Sequence, residues 1–265
     1  MKKDSNENKN KFLTEFKKVV FIVVVIGIVV GISFIGKYLY NIYTANQVSK
    51  ALENVKIYEQ ENKVDGENEI SSNVLKLKEL KKQNNDIMAW IKIDGTNINY
   101  PVLQTINNEY YMEHDYQKNI SSNGSIFIDK DYNFSKANQN MVLYGKNNYN
   151  YVMFSELFGY KNYDYYKDHK IIRLITEERE EEYEIFAVIF TQDLDSASKE
   201  KIDYSNMDSL NDEEFKIYIQ NIRNNTIYNK EFELESSDKT ITLITSSNHA
   251  ENGKIVIIAK KIDNL

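Results

Sequence analysis

Residues Asp86–Gln104 read DIMAWIKIDGTNINYPVLQ. Trp90, Ile91 and Ile93 lead into Asp94-Gly95, and Ile98, Tyr100 and Val102 then alternate with other residues. Two short apolar runs joined at an Asp-Gly pair predict a β-hairpin. The same short-strand pattern continues downstream through Ser125–Ile128, Met141–Tyr144, Lys170–Ile175, Tyr183–Phe190, Thr240–Thr245 and Lys254–Lys260. One amphipathic helix interrupts it, with Phe215, Ile219 and Ile222 on one face and Ser209-x-x-Asp212 resembling a capping box. A second, short helix is expected around Tyr151–Phe158. About eight short strands, mostly antiparallel, with one crossover helix predict a mainly β protein folded as a closed or nearly closed barrel. That domain is assigned to residues 86–265.

Upstream the period changes. Val74, Leu77 and Leu80 recur at helical spacing, as do Val48, Leu52 and Val55, with the polar, glycine-marked run EQENKVDGENEISSN between them. Residues 37–85 therefore read as a helical membrane-proximal segment, serving either as a spacer or as packing on the barrel. Before it, Val19–Gly36, VVFIVVVIGIVVGISFIG, carries no charge over 18 residues. At 1.5 Å per residue that spans about 27 Å, close to a bilayer's hydrocarbon core. It exceeds the usual apolar stretch of a cleaved signal, so a single-pass transmembrane anchor at 19–36 is expected. Six lysines precede it: Lys2, Lys3, Lys9, Lys11, Lys17 and Lys18. The positive-inside rule makes residues 1–18 a cytoplasmic tail and places everything after Tyr40 outside the cell.

Composition narrows the chemistry. The chain has no cysteine, which removes disulfide scaffolds, thiolate metal sites and cysteine nucleophiles. Three histidines, His114, His169 and His249, are too scattered for a metal centre. Glu177–Glu182 reads as a solvated hairpin turn rather than a calcium loop, since calcium loops interleave their ligands with glycine. No cofactor or metal is expected. The net charge of −7 argues against nucleic acid as a partner.

Several segments, taken in order, resemble the class B sortases, membrane-anchored transpeptidases of Gram-positive cell surfaces. These are Asp86–Gln104, then NEYYMEHDY at Asn108–Tyr116, GSIFID at Gly124–Asp129, and DEEFKIYIQNIRNNTIY at Asp212–Tyr228. The resemblance implies a closed, eight-stranded sortase barrel with N-terminal helices and a groove that takes a C-terminal sorting peptide. It also implies three catalytic positions. The family's His follows a Tyr-Gly pair, and MVLYGK puts Lys146 there. The family's Cys ends a Thr-Leu-x-Thr-Cys run, and TLITS puts Ser246 there. The family's Arg opens the last strand, where Lys254 stands. The chain's arginines, Arg173, Arg179 and Arg223, all lie outside that strand.

Thioester chemistry needs sulfur, so an ordinary cysteine sortase is excluded. The expectation is a sortase-like protein without transpeptidase activity that binds a sorting peptide, a surface protein or an active sortase. The alternative is a rewired Ser–Lys acyl enzyme acting on cell-wall peptides, with Lys146 as base to Ser246 and Lys254 near the oxyanion. In such a dyad only a neutral amine accepts the serine proton. His249 is expected exposed in the turn after Ser246 and not catalytic, and His114 is expected to be structural. Seven tyrosines between Tyr144 and Tyr166 add a weak sign of a peptide-binding surface.

Overall fold

A computed structural model describes residues 2–53, 72–135, 140–148, 151–192, 207, 210–228, 231–249 and 252–262. The first unit, residues 1–47, is helical over its described residues, from residue 2 on. Helix α1, Lys2–Glu53, contains the apolar stretch Glu15–Tyr40, whose mean hydropathy reaches 3.1 and none of which is buried in protein. An uncovered apolar cylinder of this length suits a bilayer, although a signal sequence has the same features. Most of the polar break at 59–73 lies outside the described residues, and the side chains of Val48, Leu52 and Val55 do as well.

The second unit carries the barrel. Helix α2, Ser72–Lys81, lays Val74, Leu77 and Leu80 on strands β1 (Ile87–Ile93) and β5 (Ile171–Thr176), and all three side chains are buried. Between the two expected roles for this helix, the structure has it packed on the barrel. Strand β2, Asn99–Leu103, pairs antiparallel with β1 across the Asp94-Gly95 turn. Gly95 has φ of 77°, and a Cβ there would fall 2.7 Å from His169 Nε2, so both backbone and space require glycine. Trp90 is fully buried and donates from Nε1 to Asn99 Oδ1 at 2.6 Å, which satisfies its one polar atom.

Strands β3 (Ile126–Ile128), β4 (Asn140–Tyr144), β6 (Glu180–Gln192), β7 (Thr240–Ser247) and β8 (Gly253–Lys261) complete a closed barrel in the order β1-β2-β3-β4-β7-β8-β6-β5. Closure leaves no sheet edge unpaired. Two of the neighbours, β2 with β3 and β4 with β7, are parallel. Between β4 and β5 the chain forms a 3₁₀ segment, Met153–Lys161, and helix α3, Tyr163–Asp168, longer in total than the single short helix expected.

Helix α4, Asp212–Asn225, is the crossover helix. Its capping box is made by Asn211 and Glu214, two residues beyond the Ser209-x-x-Asp212 pair expected to form it, and Ser209 lies outside the described residues. Asn211 Oδ1 accepts from the amides of both Glu213 and Glu214 and so satisfies two of the helix's free N–H groups. Tyr218, Ile219 and Ile222 cover the outer face of the sheet, packing with Val142, Ile244, Val256 and Ile258.

The acidic run departs from expectation. Only its beginning is a turn, because Glu180–Glu182 already belong to β6, and Glu181 is buried. Its carboxylate accepts from Arg179 Nε at 2.6 Å and Lys261 Nζ at 2.7 Å. Two cations make burial of that charge tolerable, which a solvated turn does not require.

Candidate functional site

On the outer face the strands are aligned in level rows. Tyr144 is opposite Ile244, Ile244 opposite Val256, and Val256 opposite Ile189. The row below runs Val142, Thr242, Ile258 and Ala187. Both rows are apolar for the most part, and α4 with Met207 and Phe232 packs over them. One row above, Ser246 pairs with Lys254 and Lys254 with Thr191. Lys146 lies in the loop two residues beyond Tyr144–Ile244, the last pair of β4 with β7. The barrel thus brings Ser246 and Lys254 onto adjacent strands, with Lys146, a hundred residues before Ser246, in the loop that follows β4 at the same end.

Local contacts hold this end of the sheet. Gly145 passes beneath the buried Phe154 ring, where a Cβ would approach to 2.7 Å, so the residue before Lys146 has to be glycine. Gly145 N–H donates to Ile244 O at 3.3 Å, and Thr245 Oγ1 donates to Gly145 O at 2.7 Å. Asn147 Nδ2 donates to Ser246 O at 3.1 Å, tying the loop after β4 to the end of β7. Lys146 Nζ donates to Ser122 O at 3.1 Å, and Asn148 Nδ2 donates to the same oxygen at 2.9 Å. Ser246 is exposed, while Lys146 and Lys254 are part buried. Asn147, Ser122 and Thr191 were not legible as site residues. Asn147 adjoins Lys146 in sequence, but asparagine is so abundant in this chain that its neighbours carry no signal.

The histidines fall outside this row. His249 lies in the turn between β7 and β8, and its Nδ1 meets Ser247 Oγ at 2.9 Å, not Ser246. Ser246 and Ser247 point to opposite faces of the strand, so a turn histidine that reaches one is turned away from the other. His114 stacks on Tyr110 with ring centroids 4.0 Å apart and shares a hydrogen bond with Tyr110 O, a packing role. His169 closes α3, with Nδ1 2.8 Å from Tyr165 O, although its sequence neighbours suggest no partner. Among the described residues, no cluster of three or more acidic or histidine side chains is arranged to hold a metal.

What this geometry offers is an exposed hydroxyl, Ser246, paired across the strands with Lys254 and near the loop that carries Lys146. A dyad base needs its lone pair aimed at the hydroxyl. Lys146 instead spends an N–H on a backbone carbonyl.

No protein-family model matches the chain. A cysteine-to-serine mutant of Clostridium perfringens sortase B superposes with a TM-score of 0.69 and 31% identity, over 83% of this chain and 100% of that one. The Staphylococcus aureus sortase B–substrate complex gives a TM-score of 0.62 and 27% identity, over 72% of this chain and 86% of that one. In sequence, Sortase B of Staphylococcus aureus is 29% identical over 184 residues, 69% of this chain and 72% of its own length. The closed eight-stranded barrel superposes on these relatives over most of the chain, and the protein belongs to the class B sortase family.

Proposed function

We propose that this protein is a membrane-anchored member of the class B sortases that binds a sorting peptide, alone or within a surface protein, without transferring it. On this reading α1 is an uncleaved anchor with a cytoplasmic N-terminus, and the barrel stands outside the membrane of a Gram-positive cell. The observation that carries the reading is the row Lys146–Ser246–Lys254. Ser246 pairs with Lys254 at the end of β7, yet no residue of the chain supplies a thiol. A hydroxyl with no base directed at it is a poor nucleophile. That a substrate complex has been solved for the Staphylococcus aureus relative supports a peptide as the ligand class. An active sortase is a further partner consistent with this placement.

The test uses the full chain in detergent micelles. A serine-reactive fluorophosphonate probe should leave Ser246 unlabelled, and Ser246→Ala should change peptide affinity by no more than about twofold. Ser246→Cys should not produce a transpeptidase, because its thiolate would lack the family's acid and oxyanion partners. Labelling at Ser246 that disappears in Lys146→Met would overturn the reading in favour of a Ser–Lys acyl enzyme.

A further inference from the structure

Four described residues other than glycine hold a positive φ: Lys118 at 68°, Tyr151 at 60°, Met153 at 52° and Asn252 at 54°. In that left-handed region Cβ crowds the backbone, so each such residue costs the fold free energy that something else offsets. Three of the four show their offset. Asn252 is of a residue type whose short polar side chain tolerates the conformation. Lys118 meets Asp86 at 2.8 Å, and its amide donates to Asp115 O at 3.0 Å. Met153 is buried, next to the fully buried Phe154. Tyr151 has none of these. Its side chain is 74% exposed and, among the described residues, makes no hydrogen bond, ion pair or ring contact. Glycine or asparagine would suit the backbone better, so the fold gives no reason for a large ring at this position.

Its location does give one. Phe154 N–H donates to Lys146 O at 3.2 Å, so the chain returns to Lys146 three residues after Tyr151, a span of at most about 11 Å. Asn147, at the start of the same segment, reaches Ser246 O at 3.1 Å. Phe154 packs against Gly145, which fixes the far end. Tyr151 is therefore presented to solvent in the corner of the barrel that holds the exposed Ser246. The other described tyrosines of this stretch serve the fold. Tyr144 donates to Asp129, Tyr160 and Tyr166 are buried, Tyr165 packs edge-on against Tyr160, and Tyr163 lies against Tyr228. A tyrosine brings a large contact area with only two side-chain torsions to immobilise, and a segment fixed at both ends loses little further freedom on binding. We infer that Tyr151 is a contact residue for a peptide that lies at Ser246, its ring packing on an apolar side chain of that peptide. The inference rests on the peptide-binding reading above and names a residue that gives the site its affinity.

The experiment pairs fluorescence polarisation with urea unfolding, both on the full chain in detergent micelles. The probes are fluorescein-labelled hexapeptides of varied Ala, Val, Leu and Thr sequence. Tyr151→Asn removes the ring and keeps a residue suited to the backbone. Its affinity should fall about tenfold while the urea midpoint stays equal or rises, a split that a ring needed only for folding would not give. Tyr151→Gly should bind as weakly as Tyr151→Asn, and Tyr151→Phe, which keeps the ring, should bind within about twofold of the unaltered chain. Leu75→Asn removes another exposed apolar side chain, on α2 across the barrel, and should leave affinity unchanged. Peptides with Ser in place of Val and Leu should bind the unaltered chain and Tyr151→Asn alike. Equal affinity of Tyr151→Asn and the unaltered chain for the apolar peptides overturns the inference while leaving peptide binding standing. A lowered urea midpoint in both Tyr151→Asn and Tyr151→Gly shows that the ring holds the fold, and overturns it too. Failure of the unaltered chain to bind any of the peptides overturns the peptide reading itself.

Discussion

Glu181 shows how one residue type can carry opposite meanings in one charged run. Its carboxylate is buried between Arg179 and Lys261 and also accepts from Tyr183 Oη at 3.0 Å. Burial raises its pKa, but the hydrogen bonds and charges of Lys261 and Arg179 outweigh this, and the group is held below its ordinary 4.5. A carboxyl depressed in the folded state adds stability that is fully present above its unfolded value. That contribution is lost as pH falls through the lower, folded value. Glu181→Gln should therefore cost about 1–3 kcal/mol at pH 7, a figure moderated by the partial exposure of both cations. It should also flatten the fall in stability below about pH 4.5. Urea unfolding of both proteins across that range checks the claim, and parallel pH curves would contradict it.

At the scale of elements, α2 and the β4–β7 pair matter most. Val74, Leu77 and Leu80 are nearly inaccessible beneath α2, so the helix is part of the barrel's core and not merely a spacer. Leu77→Ala should destabilise the barrel by about 2–5 kcal/mol, read from the midpoint of denaturant unfolding. An unchanged midpoint would mean that the helix detaches without consequence. The parallel pairing of β4 with β7 has a different effect, because it is what sets Lys146 beside Ser246. An antiparallel pairing would send the chain after Tyr144 to the far end of β7. Spacing along the chain gives no sign of which pairing occurs, since both directions accept the same apolar alternation.

For the whole molecule, the governing asymmetry is charge. Residues 1–44 carry a net +4 and the remainder −11, on either side of a stretch with no charge at all. Lysines that precede such a span stay on the cytoplasmic side, so protease added to wall-stripped cells should digest the barrel and spare residues 1–18. A protected barrel would reverse the orientation. Release of a barrel that begins after residue 36, with no membrane-bound fraction, would identify the helix as a cleaved signal instead.

The barrel was legible from the chain because closed antiparallel sheets impose short apolar strands and Gly-marked turns, and Asp86–Gln104 shows both. Absence of cysteine was likewise decided by composition, and it excludes thioester chemistry whatever the fold. The candidate positions Lys146, Ser246 and Lys254 could be named only through a resemblance, since a lysine and a serine in isolation look like any solvated residue. Tertiary structure decided their mutual placement, the donation of Lys146 to Ser122, and the pairing of His249 with Ser247. It also decided that Glu181 is buried while its neighbours are not. These are contacts between residues distant in sequence, or choices between the two faces of a strand. A period-two pattern tells the faces apart only where one of them meets water, and in this barrel helix α4 covers part of the outer face as well.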